Sequence, residues 1–202
     1  MNTMAHIREE MARIPEGEPV ASLTFLQAGS RAAVDQALSR LVREGVLSRV
    51  ARGVYVRPKR NRFVGEVSPE PLRIAEAVAK ASGTIVEIHG AEAARRFGLT
   101  TQVPATPVFL TNGSSRKMHV GNLVVELRRT APRKLYFAGR PAGQALSALW
   151  YLGRGGVTSK VIKTLRGILP PEEFEALRGA TQVMPSWMAE AFANAEKGVR
   201  RG

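Results

Sequence analysis

Between Ser30 and Gly45 the apolar residues Val34, Leu38, Leu41 and Val42 fall at i, i+4, i+7 and i+8, the spacing of one helix face. Ser30 is placed to cap the start of that helix and Gly45 to stop its end. At roughly 100° per residue, the opposite face carries Ala32, Ala33, Gln36, Ser39, Arg40 and Arg43. The period then changes. Leu47, Val50, Val54, Tyr55 and Val56 bracket Ala51-Arg52-Gly53, a pattern that predicts a tight two-stranded hairpin. Upstream, Ile7, Met11 and Ile14 mark a first helix over 4–14, and 20–28 is predicted as a short second one, with Pro15-Glu-Gly-Glu-Pro19 between them. Helices followed by a basic ribbon outline a winged helix-turn-helix.

The stretch from Pro58 to Pro71 interrupts the periodicity with three prolines and reads as a linker or extended crossing segment, so a domain boundary is expected near Val64. Beyond it, Leu72, Ile74, Ala75, Val78 and Ala79 form a helical stripe ending at Gly83. A strand over 84–89 and a short helix over 91–97, stopped by Gly98, follow. Residues 107–111 read as a buried strand, and 117–120 with 123–128 as a hairpin turning at Gly121-Asn122. The remainder is helical over 142–152, 159–169, 172–177 and 187–195. The expected fold class is α+β. A winged helix-turn-helix over 1–63 precedes an α/β domain over 64–202, with a small mixed or antiparallel sheet and C-terminal helices.

Charge sharpens this picture. The chain of 202 residues carries a formal net charge of +13, which favours a polyanionic partner; nucleic acid fits better than an anionic membrane. Nine lysines and arginines lie between Arg31 and Arg62 against Asp35 and Glu44 alone. On this reading Ser30, Arg31, Gln36, Ser39, Arg40 and Arg43 face a DNA groove, and Arg49, Arg52 and Arg57 grip phosphates or a minor groove. Gln36 suits adenine, and Arg40 suits guanine or a phosphate. A second basic surface is expected from Arg116, Lys117, Arg128, Arg129, Arg133 and Lys134, with a solvated strand face as the competing reading.

Other chemistry is poorly provided for. The chain contains no cysteine, so disulfides, thiolate metal sites and cysteine nucleophiles are absent. Asp35 is the sole aspartate, which rules out paired-aspartate magnesium sites. Glu87 and His89 alternate onto one strand face and could form an acid–base pair, but a histidine satisfied by nearby backbone before Gly90 explains the pattern with less. Gly153-Arg-Gly-Gly-Val-Thr-Ser-Lys160 lacks phosphate-loop spacing and reads as a loop and helix cap. Neither a metal nor a cofactor is expected. No bilayer-spanning apolar run or signal-peptide core is visible, so a cytoplasmic location is expected.

Several segments together carry a family resemblance: Ser30-Arg-Ala-Ala-Val-Asp-Gln-Ala-Leu-Ser-Arg-Leu41, Gly45-Val-Leu47, Arg52-Gly-Val-Tyr55, His89-Gly90, Phe97-Gly-Leu-Thr-Thr-Gln-Val-Pro104 and Phe109-Leu-Thr-Asn-Gly113. The array resembles the AbiEi-type antitoxins of type IV toxin-antitoxin systems, the abortive-infection transcriptional regulators. The resemblance implies a repressor that binds inverted repeats in its own promoter, dimerising there. It also implies a C-terminal domain that counters a nucleotidyltransferase-like toxin without needing a stable complex. Two alternatives stand beside it: a solitary transcriptional regulator, and a protein-interaction module that neutralises an acidic partner directly.

Overall fold

The computed structural model describes residues 2–63 and 65–197. In chain order it contains α1 (Thr3–Arg13), β1 (Val20–Ala21), a 3-10 helix (Ser22–Ala28), α2 (Arg31–Arg43), β2 (Ser48–Ala51), β3 (Val54–Val56), β4 (Lys59–Asn61), β5 (Gly65–Val67) and α3 (Pro71–Ser82). Then come β6 (Val86–Ile88), α4 (Gly90–Arg96), β7 (Val108–Thr111), β8 (Arg116–Val120) and β9 (Leu123–Arg129). The C-terminal helices are α5 (Pro141–Gly156), α6 (Ser159–Ile168), α7 (Pro171–Gly179) and α8 (Ser186–Lys197). The class is α+β, with small sheets and C-terminal helices.

The chain divides into two compact units, 1–84 with 116–126, and 85–115 with 127–202. The division expected at 63/64 is therefore displaced, and Val64 itself lies outside the described residues. The reason is packing. Ile74, Ala75 and Val78 of α3 are buried, and α3 packs on β1 and β3, so this helix completes the first unit instead of opening the second. The turn-forming residues 116–126 join the same unit through β8, which packs beside β2.

In the first unit, Ile7 and Met11 of α1, Phe25, and Val34, Leu38 and Leu41 of α2 form a core closed by Leu47 and Tyr55. The α2 helix starts and stops where the sequence places its signals. Ser30 Oγ accepts from the Ala33 amide, and Gly45, at φ 71°, lets the Val46 amide return to the Leu41 carbonyl at 3.0 Å. β3 is the middle strand of an antiparallel three-stranded sheet ordered β1-β3-β2.

Two expectations fail here. The second helix predicted over 20–28 begins instead as strand β1, with Val20 opposite Tyr55 and Ala21 opposite Val54, and only 22–28 turns, as a 3-10 helix. Pairing with β3, extended by the Ser22 amide donating to the Gly53 carbonyl at 2.8 Å, outweighs local helix preference. The segment expected as a linker forms the antiparallel ribbon β4–β5. Pro58 and Pro69 flank these strands without interrupting them, and the Asn61 side chain accepts from the Phe63 amide at 2.8 Å to bend the chain.

In the second unit β6 and β7 pair antiparallel, with Glu87 opposite Leu110, and the end of β9 lies along β7. The α5 helix supplies the core through Ala142, Ala145, Leu146, Ala148 and Leu149. α7 is held to its first turn by Glu173, which accepts from the Ala142 amide at 2.9 Å and pairs with Arg140. Ile162, Leu165, Phe174, Leu177, Met188 and Phe192 from α6, α7 and α8 are buried.

Candidate nucleic-acid interface

α2 buries Val34, Ala37, Leu38 and Leu41 and leaves Arg31, Ala32, Asp35, Gln36, Ser39, Arg40 and Arg43 exposed. Beside it the β2–β3 turn presents Arg49 and Arg52. The two elements enclose a cleft of about 370 Å³ lined by Ser22, Arg31, Asp35, Ser39, Arg49, Arg52, Gly53 and Tyr55. Gln36, Arg40 and Arg43 line a shallower concavity with Asp35 and Ser39 on the same helix face.

Several arginines on other faces are matched to carboxylates: Arg8 to Glu44, Arg13 to Glu9, Arg73 to Glu76, Arg95 and Arg96 to Glu92, and Arg140 to Glu173. Among the described residues Arg31, Arg40, Arg49 and Arg52 have no carboxylate partner. Arg43 and Arg49 make long bonds to the carbonyls of Ser39 (3.5 Å) and Ala51 (3.4 Å). Unpaired guanidinium groups beside a concave surface present donors in the planar geometry that phosphate and guanine accept bidentately.

The structure brings together most, though not all, of the residues singled out from sequence. Ser30 is exposed at the start of α2, with its oxygen occupied by the Ala33 amide. Arg57 stands apart from this group. Its side chain is half-buried, Nη2 donates to the Ile14 carbonyl at 3.0 Å, and Nε is buried without a hydrogen-bond partner. Arginine-rich sequence gave no sign of this, because Arg57 follows two buried valines and turns back toward the end of α1. Asp35, Ser22 and Tyr55 were missed; Asp35 lies in the middle of the basic face and offers the only carboxylate there.

Of the residues expected to form a second basic surface, Arg116 and Lys117 belong to the first unit, and Arg128, Arg129, Arg133 and Lys134 to the second. Arg116 donates to Ser82 Oγ at 3.4 Å. Arg133 and Lys134 lie 4.8 and 4.9 Å from the Trp150 ring centre, so these cations rest on an aromatic face.

Glu87 is buried at 3% exposure. Its Oε1 accepts from the Ile88 amide at 2.7 Å and its Oε2 from the Gly139 amide at 3.0 Å. Burial pushes its carboxyl up to about 7, opposed by those two amides and by Arg96. His89 caps α4, Nδ1 accepting from the Ala91 amide at 3.3 Å, and its ring meets Tyr151 edge-on. Backbone amides thus occupy both members of the suggested acid–base pair. Gly153 breaks α5 with φ 66° and ψ −178°, and Thr158 caps α6 through the Val161 amide, which makes the glycine-rich segment a kink and a cap. Among the described residues no group of three or more His, Cys, Asp or Glu is placed to hold a metal ion, and no helix is long and apolar enough to cross a membrane.

Comparison with known proteins adds a family. The family of unknown function DUF6088 matches residues 6–177. The chain belongs to the DUF6088 family. The match takes in the whole of α2, the β2–β3 turn, β4–β5 and Glu87 of this DUF6088 chain, and it ends within α7. No curated protein matches. Among solved structures, the chain is similar to the crystal structure of the RV2827C protein from Mycobacterium tuberculosis at 17% identity, covering 98% of this chain and 80% of that one with a TM-score of 0.46.

Proposed function

We propose that this protein is a sequence-preferring duplex DNA-binding repressor in which the first unit acts as a winged helix-turn-helix. α2 is the recognition helix and the β2–β3 turn is the wing. One observation carries the reading: Arg31, Arg49 and Arg52 line one cleft and Arg40 a second concavity that shares Asp35 and Ser39 with it, all four exposed and, among the described residues, without carboxylate partners. In this arrangement Gln36 and Arg40 reach base edges in the major groove, and Arg31, Arg49 and Arg52 hold the phosphates that fix the register. Asp35 accepts a cytosine amino proton or excludes a phosphate from the middle of the face.

The resemblance to AbiEi-type antitoxins extends the proposal to autoregulation through inverted repeats in its own promoter, with dimerisation on the DNA, and to action of the second unit against a nucleotidyltransferase-like toxin. The test is binding of the full chain to the DNA immediately upstream of its gene and to a scrambled duplex across a salt series. Tight, preferential binding that weakens steeply with salt is expected. Equal, weak binding to both duplexes would reject the repressor and favour a protein partner.

A further inference from the structure

The ribbon β4–β5 takes no part in the reading above. Lys59, Arg60, Asn61, Arg62, Phe63, Gly65 and Glu66 are all exposed, so the ribbon stands away from the core. Isolated two-stranded ribbons are marginal in water, and one kept outside a core generally needs another reason to be there. Its tip is chemically unusual. Phe63 is 80% exposed, well above the other large apolar side chains on this unit, and the Arg62 guanidinium lies 4.6 Å from its ring centre. The Asn61 side chain, by accepting from the Phe63 amide, holds the phenyl-bearing residue in place beside two arginines and a lysine.

The ribbon is also rooted next to the DNA face. Glu66 of β5 accepts from Ser48 Oγ of β2 at 3.3 Å. A second cleft, about 380 Å³, is lined by Ser48, Arg49, Glu66, His119 and Asn122 among others. Arg49 therefore borders both this cleft and the one beside α2. Arg49 thus lies between the wing and the root of the ribbon.

We infer that β4–β5 is a second DNA-contacting arm: Lys59, Arg60 and Arg62 hold phosphates flanking the site read by α2, and Phe63 wedges against a base step in the minor groove. The inference rests on the proposed DNA binding. A duplex fits the ribbon better than a protein partner does. One aromatic residue set among cations supplies far too little apolar area for a protein interface, whereas a minor-groove wedge needs only one apolar side chain. The dimensions agree, since three residues per strand at about 3.3 Å each give a reach of about 10 Å, against a minor groove about 7.5 Å deep.

The experiment uses the full chain and the upstream duplex, with 2-aminopurine substituted at successive positions. The parent protein should raise fluorescence several-fold at a step outside the stretch protected by α2. Phe63→Ala should abolish that signal and Phe63→Leu should keep it, because leucine also wedges. The double variant Arg60→Ala/Arg62→Ala should lower the slope of log affinity against log salt by about two, without changing base preference. If Phe63→Ala and the double variant keep the parental fluorescence profile and salt slope while Arg40→Ala loses base preference, the arm is overturned and the α2 reading stands. A parent protein indifferent to duplex sequence overturns both.

Discussion

Arg57 Nη2 donates a 3.0 Å hydrogen bond to the carbonyl oxygen of Ile14, the residue that closes α1. A side chain from the most basic stretch of the sequence thus fastens the exit of β3 to the first helix. Arg57→Ala should lower stability by about 1–3 kcal/mol, the cost of leaving a partly buried carbonyl without its charged donor. The salt slope of DNA binding should not change. Urea denaturation alongside a salt titration separates the two effects, and a slope reduced by about one would return Arg57 to the interface.

Arg40 and Arg52 are both exposed and unpaired, yet they should behave differently. Arg40→Ala removes a side chain from the middle of the helix face and should cost about 1–3 kcal/mol, with preference relaxed at one base pair. Arg52→Ala, at the wing turn, should weaken all duplexes alike and reduce the salt slope by about one. Competition binding with a set of single-base operator variants checks both. Uniform loss for Arg40→Ala would make it a phosphate contact.

Two glycines in the second unit are required by close approach. A Cβ on Gly90 would lie 2.2 Å from the Ser147 carbonyl oxygen and 2.5 Å from Tyr151 Cβ; one on Gly143 would lie 2.2 Å from the Phe137 carbonyl oxygen and 2.5 Å from Glu87 Oε2. Either alanine variant must separate α5 from its neighbours and should lose about 1–3 kcal/mol or more. Gly167, inside α6 with open space around it, is the contrast: Gly167→Ala should gain about 0.4–1 kcal/mol. Thermal unfolding of the three variants tests the set, and equal midpoints would refute the packing argument.

The buried Glu87 makes stability depend on pH. Its folded carboxyl titrates near 7 against a usual value of 4.5, so between those limits the folded chain holds a proton that the unfolded chain has released. Stability from this group is complete below about pH 4.5 and is lost as pH rises through 7, amounting to about 3 kcal/mol at most. Glu87→Gln should flatten the fall in unfolding free energy across that window, while costing some stability where its amide group faces the Gly139 amide. An unchanged slope would show that Glu87 is ionised throughout.

Sequence pattern located α2, its cap and its stop because all three depend on neighbours within one turn. The β2–β3 hairpin was legible for the same reason, and from these two elements came the basic face. Three features were not legible. The strand at Val20–Ala21 depends on Tyr55 and Val54, more than thirty positions away. The β4–β5 ribbon hides among prolines that mark its ends. The inward turn of Arg57 depends on an acceptor in α1, and residue type alone cannot distinguish an arginine that binds a carbonyl from one that faces solvent. Glu87 was noticed for its alternation with His89, but its burial depends on Gly139 and Gly143, which only the tertiary fold brings near.

Residues 116–126 belong to the first unit although the chain before and after them belongs to the second. The usual genetic dissection, cutting such a protein in two and assigning one activity to each half, would therefore damage both products. A fragment ending at 63 or 84 lacks β8, and a fragment starting there carries that hairpin without the strand it packs beside. Loss of DNA binding in a truncated chain would report a missing strand, so separating the roles of the two units calls for point substitutions in the intact chain.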